Sequence, residues 1–332
     1  MNGRKKDRAN PYTLRIKVLF LVVMVVCAAF RMAEETDQLS FSGAPATKEQ
    51  LGEKLFFEKM LSADRSASCA SCHIPAYGFA DTAALSRGVG GHLGVRNSPS
   101  CANMSERPYL FYDGRAATLE EQVRFPIEDT NEMALPINEA VKRLRANKQY
   151  VEWFKKIFGE GPTERNLKVA IAAFERTLET SRTLFDRYMD GDSMAISASA
   201  IRGRELFMSK KAKCFDCHFS PDFTGDEFRN IGLYDGVRYT DKGRYAITKK
   251  EEDMGKFKVP GLRNVSVTAP YMHNGMFRTL AEVIEYYDDP YKVVPAPVNM
   301  DTLMVEPLHL TAEEKKDLEN FLLTLTDDRF KK

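Results

Sequence analysis

The 332-residue sequence has a single tryptophan, Trp153, only five histidines and a formal charge of just +1. So small a charge gives no field for a polyanion, which argues against nucleic acid as the main partner. Low-complexity tracts are absent, and the composition is that of an ordinary soluble globular chain of about two domains. The run VLFLVVMVVCAAF (18–30) is thirteen residues, short of the ~20 that span a bilayer. It follows a cationic stretch and precedes small residues. That order reads as an export signal over residues 1–33 cleaved after Ala29 or Ala33, with an uncleaved anchor as the alternative. Residues 1–33 hold seven Lys/Arg and one Asp, so a chain starting at Glu34 is mildly acidic, near −5. Cys27 lies in the apolar run and is a candidate lipid-attachment site, although the preceding MVV does not favour it.

The other cysteines are Cys69, Cys72, Cys101, Cys214 and Cys217. Two pairs fall in CASCH (69–73) and CFDCH (214–218), each with a histidine directly behind. A bare C-x-x-C serves redox disulfides or half a zinc site, but C-x-x-C-H is the c-type haem attachment signature. Two thiols add across the two vinyl groups of one porphyrin, and the adjacent His73 or His218 is carried under the ring to the iron. A pooled four-cysteine zinc site leaves both histidines unexplained and joins pairs that begin 145 positions apart. The expectation is two covalently bound haem c groups.

The surroundings repeat as well. GEKLF (52–56) precedes the first pair and GRELF (203–207) the second; FAD (79–81) and FTGD (223–226) follow them. Thr47 with Gln50, Thr279 with Glu282 and Thr311 with Glu314 have capping-box spacing. Leu318, Phe321, Leu322 and Leu325 form a helical stripe. A long helix is expected over NLKVAIAAFERTLETS (166–181), and the polar turn MDGDS (189–193) is the expected domain boundary. The Gly-, Asp-, Pro- and Lys-rich segments 224–256 and 286–308 read as long loops.

The connecting motifs are RNSPS (96–100), FYDGRAATLEEQ (111–122), FPIEDTNEM (125–133), AFERTL (173–178) and FKVPGLRNVSVTAPYMHNG (257–275). With the two haem motifs, in this order, they resemble the bacterial dihaem cytochrome c peroxidases and the related methylamine-utilisation dihaem enzymes. The resemblance implies a mainly α fold: two cytochrome c-like haem domains with long loops and little strand, an N-terminal peroxidatic domain over 34–192 and a C-terminal electron-transfer domain over 193–332. It implies that His73 ligates the peroxide-reacting iron, with Gln122 and Glu132 on its distal side and Pro126 walling the pocket. Peroxide cleavage needs a group that takes a proton from one oxygen and returns it to the other, which suits Glu132; Gln122 orients the peroxide. Asn97, Thr268 and Pro270 match the family's calcium site, where oxygen donors and water suit Ca2+.

Tyr112 stands where members of the family usually carry the tryptophan between the haems, and its oxidation requires loss of a proton. Within PYMHNGMFRTLAEVIEYYDDP (270–290) a helix from Thr279 would turn Leu280, Val283, Ile284 and Tyr287 inward and point Tyr286 elsewhere. Tyr287 is fourteen residues after His273, where the resemblance places the second iron's sixth ligand: methionine in the peroxidases, tyrosine in the methylamine-utilisation members. Met272 and Met276 are the fallback ligands, and His273 is a structural or propionate contact. His92 is the only candidate for a second histidine on the first iron and reads better as an exposed loop residue; His309 is unrelated to the haems, and Cys101 is a buried thiol. The function implied is reduction of hydrogen peroxide in the periplasm, with electrons from a small cytochrome c or cupredoxin. The alternatives are oxidation of a protein substrate and a non-catalytic electron carrier.

Overall fold

The computed structural model describes residues 43–180 and 182–330; the expected export segment and Cys27 lie outside them. The helices are α1 (Lys48–Phe56), α2 (Cys69–Cys72), α3 (Leu119–Gln122), α4 (Arg124–Glu128), α5 (Ile137–Ala146), α6 (Lys148–Phe158), α7 (Glu164–Glu175), α8 (Leu184–Met189), α9 (Ala198–Phe207), α10 (Tyr245–Thr248), α11 (Leu280–Asp288) and α12 (Ala312–Leu323). Among the described residues strand is confined to β1 (Phe228–Arg229) and β2 (Phe257–Lys258), paired antiparallel. No described helix is long and apolar enough to cross a membrane.

Serine or threonine caps most of the longer helices. Thr47, Thr163, Ser197, Thr279 and Thr311 each accept a first-turn backbone N–H, which satisfies one of the donors that a helix start leaves orphaned. Thr279–Glu282 and Thr311–Glu314 complete reciprocal boxes. At α1 the reciprocal bond slips by one residue: Gln50 Oε1 accepts from Ala46 N, not from Thr47 N.

The repeat is a repeat of packing. In GEKLF, Gly52 lets α1 cross α7 so closely that a Cβ would sit 1.8 Å from Ala170 O; in GRELF, Gly203 lets α9 cross α12 with the same atom 1.9 Å from Asp317 O. Each crossing supports three edge-to-face phenylalanines. Phe56, Phe79 and Phe174 stand 5.1 to 6.5 Å apart in the first core, and Phe207, Phe223 and Phe321 stand 5.2 to 6.0 Å apart in the second. Burying each ring stabilises the fold by about 2–3 kcal/mol. The stripe Leu318, Phe321, Leu322 and Leu325 belongs to the second core. Phe330, near the end of the chain, returns to the first core and meets Phe79 at 6.5 Å.

Two expectations need correction. The helix expected over 166–181 ends at Glu175. Its last turn tightens as Thr177 Oγ1 bonds back to Phe174 O and Leu178 N to Glu175 O. In α11, Tyr286 does not point away from the core: it is 1% exposed and its hydroxyl donates to Ile231 O at 2.7 Å. A one-sided helical wheel misplaced it because α11 is covered on a second side by Leu233 and Val294.

Candidate functional site

Both C-x-x-C-H motifs close the same backbone hydrogen bond, the first in a short α-helix and the second in a tighter 3-10 turn. His73 N donates to Cys69 O and His218 N to Cys214 O, each at 2.9 Å, so one helical turn brings each histidine beneath its cysteines. Each ring is then fixed by its own core: His73 Nδ1 bonds Phe79 O at 3.1 Å and His218 Nδ1 bonds Phe223 O at 2.8 Å. To present those carbonyls Phe79 and Phe223 take left-handed backbone, φ 59° and 56°, a conformation that non-glycine residues adopt only under constraint. Burial holds both imidazoles below their usual pKa, hence neutral. A neutral ring with Nδ1 donating to a carbonyl keeps Nε2 for a metal.

Two cavities open at these motifs. The first brings Cys69, Cys72 and His73 together with Gln122, Pro126 and Glu132. The second, several times larger, brings Cys214, Cys217 and His218 together with Tyr287, Tyr112 and His273, and with Asn97, Thr268 and Pro270. Between them runs RNSPS, whose residues alternate in the manner of a strand. Arg96 and Ser98 line the first cavity, and Asn97 and Pro99 line the second.

In the first cavity Thr118 caps α3 and so sets Gln122 at its end. Glu132 sits in the turn after α4, where its N–H donates to Asp129 O at 3.0 Å and its carbonyl accepts from Val89 N at 2.8 Å. Gly88 packs on that turn so tightly that a Cβ would lie 2.4 Å from Glu132 O. Burial, then the nearby Asp129, raise the Glu132 pKa, while Arg115 opposes them. Such a carboxyl exchanges protons nearer neutrality than an exposed one. His92 lies exposed at the loop bend, with its ring 3.3 Å from where a Gly90 Cβ would be. Cys101 is only half-buried, against the first core; its thiol pKa is raised by burial.

In the second cavity the His273 ring stacks on Phe257 at 3.7 Å and meets Tyr112 edge-on at 6.5 Å. Arg96 lies 5.5 Å from the Phe257 ring and is held by Asp113 and Asp241. Burial lowers the His273 pKa to about 4 and raises those of Tyr112 and Tyr287, so both phenols stay protonated. Only a nearby cation, such as a bound metal, would release a phenolate there. Met272 also lines this cavity, whereas Met276 does not. The Asn97 amide nitrogen is spent on Ala83 O, at 3.2 Å.

The residues fit haem: two thiols and one neutral ring nitrogen open on a cavity in each half, and the lining of the second is mostly apolar. Sequence reasoning missed Glu175, which lines the first cavity. It also missed Arg96 and the partition. RNSPS carries an alternation, but five residues give no sign of what lies on either side.

A family model for di-haem cytochrome c peroxidases matches residues 46–194. The cytochrome-c peroxidase IdrP1 of Denitromonas iodatirespirans is 37% identical over 85% of this chain and 82% of its own length. The methylamine utilization protein MauG of Methylorubrum extorquens is 35% identical over 90% of this chain and 83% of its own. Among solved structures, a MauG-like protein associated with microbial copper homeostasis superimposes with a TM-score of 0.79 at 34% identity, over 86% of this chain and 92% of that one.

Proposed function

This chain belongs to the di-haem cytochrome c peroxidase and MauG family, and from that premise we propose how its two cavities divide a peroxidase's work. It is an oxidoreductase, a di-haem peroxidase that uses hydrogen peroxide and an electron donor. In our reading the haems are attached covalently, one by Cys69 and Cys72 with His73 on the iron, the other by Cys214 and Cys217 with His218. When bound, the haems would supply redox chemistry, peroxide O–O cleavage beside His73 and electron uptake beside His218.

The chain's own residues do the rest. Glu132, as carboxylate, takes the proton from one peroxide oxygen and returns it to the other. Gln122 orients the peroxide, and Pro126 narrows the space that water can enter. Tyr112, beside the partition, is the relay between the cavities; Tyr287 would be a second protein ligand to the iron that His218 holds. Asn97, Thr268 and Pro270 would hold Ca2+ through neutral oxygens and water, a weak set by charge count. The electrons come from a small cytochrome c or cupredoxin in the periplasm, and the two halves, 34–192 and 193–332, act as peroxidatic and electron-transfer units.

The observation that carries this reading is the segregation of side chains. Glu132 and Gln122 share the cavity of CASCH, while Tyr112 and Tyr287 share that of CFDCH. A steady-state assay tests it: the haem-loaded chain oxidises a reduced small cytochrome c when peroxide is added. A second reading, oxidation of a protein substrate in the manner of the MauG relatives, is favoured by Tyr287 in the position of the second ligand. Peroxide consumption with negligible cytochrome oxidation would select it. An electron carrier is disfavoured, because an acid in a cavity beside the iron serves no purpose in one.

A further inference from the structure

One carboxyl in the first cavity is not used by this mechanism. Glu175, the last residue of α7, lines the same cavity as Glu132 and Gln122 and is 6% exposed. The next residue, Arg176, could neutralise it. Arg176 is instead committed to Glu120 on α3, through two bonds of 2.7 and 2.9 Å at the protein surface. Among the described residues no basic side chain forms an ion pair with Glu175. The groups acting on it from the packed elements are Arg176 and Glu120, and its own charge would in turn bear on Cys69 and Cys101. A buried carboxylate without a cation is costly, so the neutral acid is the stable form. In agreement, burial pushes its pKa up to about 8.

The α3–α7 seam therefore has two layers. Outside is the Glu120–Arg176 pair, in contact with water; inside are Gln122 and Glu175, on the cavity. Reduction of one hydrogen peroxide to two waters consumes two electrons and two protons. Glu132 only moves a proton between the two oxygens, so both net protons must enter from elsewhere.

We propose that Glu175 is the stored proton of the first cavity, a neutral carboxylic acid that gives its proton to the peroxide oxygens during turnover and takes another from water at the Glu120–Arg176 seam. Per cycle its O–H bond breaks once as a water O–H forms, and the electrons come from the donor that the peroxidase reaction already uses. The assignment rests on the first cavity being where peroxide reacts.

The test uses the full haem-loaded chain. Infrared spectra at neutral pH should contain a protonated-carboxyl C=O band that Glu175→Gln abolishes and Glu175→Asp shifts. Wild-type turnover should fall as pH rises through about 8. Below that, Glu175→Gln should be slower by about a hundredfold, the low end for a lost acid–base group, and its descending limb should vanish; Glu175→Asp should keep the limb. An infrared band that survives in Glu175→Gln, or a descending limb unchanged in it, overturns the proposal. Glu132→Gln, run alongside, separates the two readings. If Glu132→Gln reacts with peroxide normally, the peroxide site itself has been misplaced; if it is slow while Glu175→Gln matches wild type, only the stored proton fails.

Discussion

Replacing Glu132 by glutamine changes the proton chemistry of the first cavity and little else. The backbone at 132 is fixed from both sides, by Asp129 O and by Val89 N, each through a bond of 2.8 to 3.0 Å. Glutamine has the same length and fills the same space, so neither the cavity nor haem binding should change. What is lost is a group that can accept and return a proton. Such groups contribute about 10² to 10⁴ in rate, or about 3–5 kcal/mol of barrier. The sign with pH follows from the carboxylate being the working form. Burial and Asp129 raise the pKa, so wild-type reactivity should climb with pH through a value above the ordinary carboxylate range and level off beyond it. The glutamine variant should lack that limb. The assay is rapid mixing of the oxidised, haem-loaded protein with peroxide, followed by absorbance at equal haem content. A rate within about threefold of wild type, or an acid limb that persists in the variant, would refute the assignment.

The duplicated helix crossing gives a stability prediction. Gly52→Ala and Gly203→Ala should each destabilise the fold by about 1–3 kcal/mol in denaturant melts, since overlap with Ala170 O or Asp317 O outweighs the ~1 kcal/mol that alanine gains in a helix; a neutral or stabilising result would mean the helices part freely. Glu175 predicts a pH dependence. Its folded pKa of about 8 exceeds the 4.5 of an unburied glutamate, so its contribution is complete at low pH and is lost as pH rises from about 4.5 to about 8, by a few kcal/mol. Glu175→Gln should flatten that decline in thermal melts of the haem-loaded chain, and an unaltered slope would mean the carboxyl finds a partner on folding. Removing Ca2+ with a chelator should lower the melting temperature and disturb the second haem's spectrum. If neither moves, Asn97, Thr268 and Pro270 form a turn without an ion.

Much of the site was legible because it is local: C-x-x-C-H keeps its five residues together, and the repeated GxxLF and flanking Phe and Asp residues need only local sequence. Capping residues were legible for the same reason. Glu175 was not, since AFERTL shows a glutamate at the end of an amphipathic helix and cannot show that the neighbouring arginine is taken by Glu120 across the seam. Tyr286 and Tyr287 exchanged expectations in part, because a helical wheel assumes one buried face and α11 also buries Tyr286 and Asp288 beside it. Tyr287 still reached the second cavity. RNSPS is the clearest case: its alternation is visible in five letters, but its role as a partition exists only once two separate halves of the chain are folded on either side.

The central claim is that the two haem sites differ in kind, one reacting with peroxide and one taking up electrons. It is tested most directly by chains that can attach only one haem, with loading checked by mass. The account predicts that Cys214→Ala with Cys217→Ala leaves a protein whose remaining haem changes its absorbance on adding peroxide but which no longer oxidises reduced cytochrome. It predicts that Cys69→Ala with Cys72→Ala leaves a haem that is reduced by the donor and does not respond to peroxide. The reverse pattern, or peroxide reactivity at both sites, would contradict it.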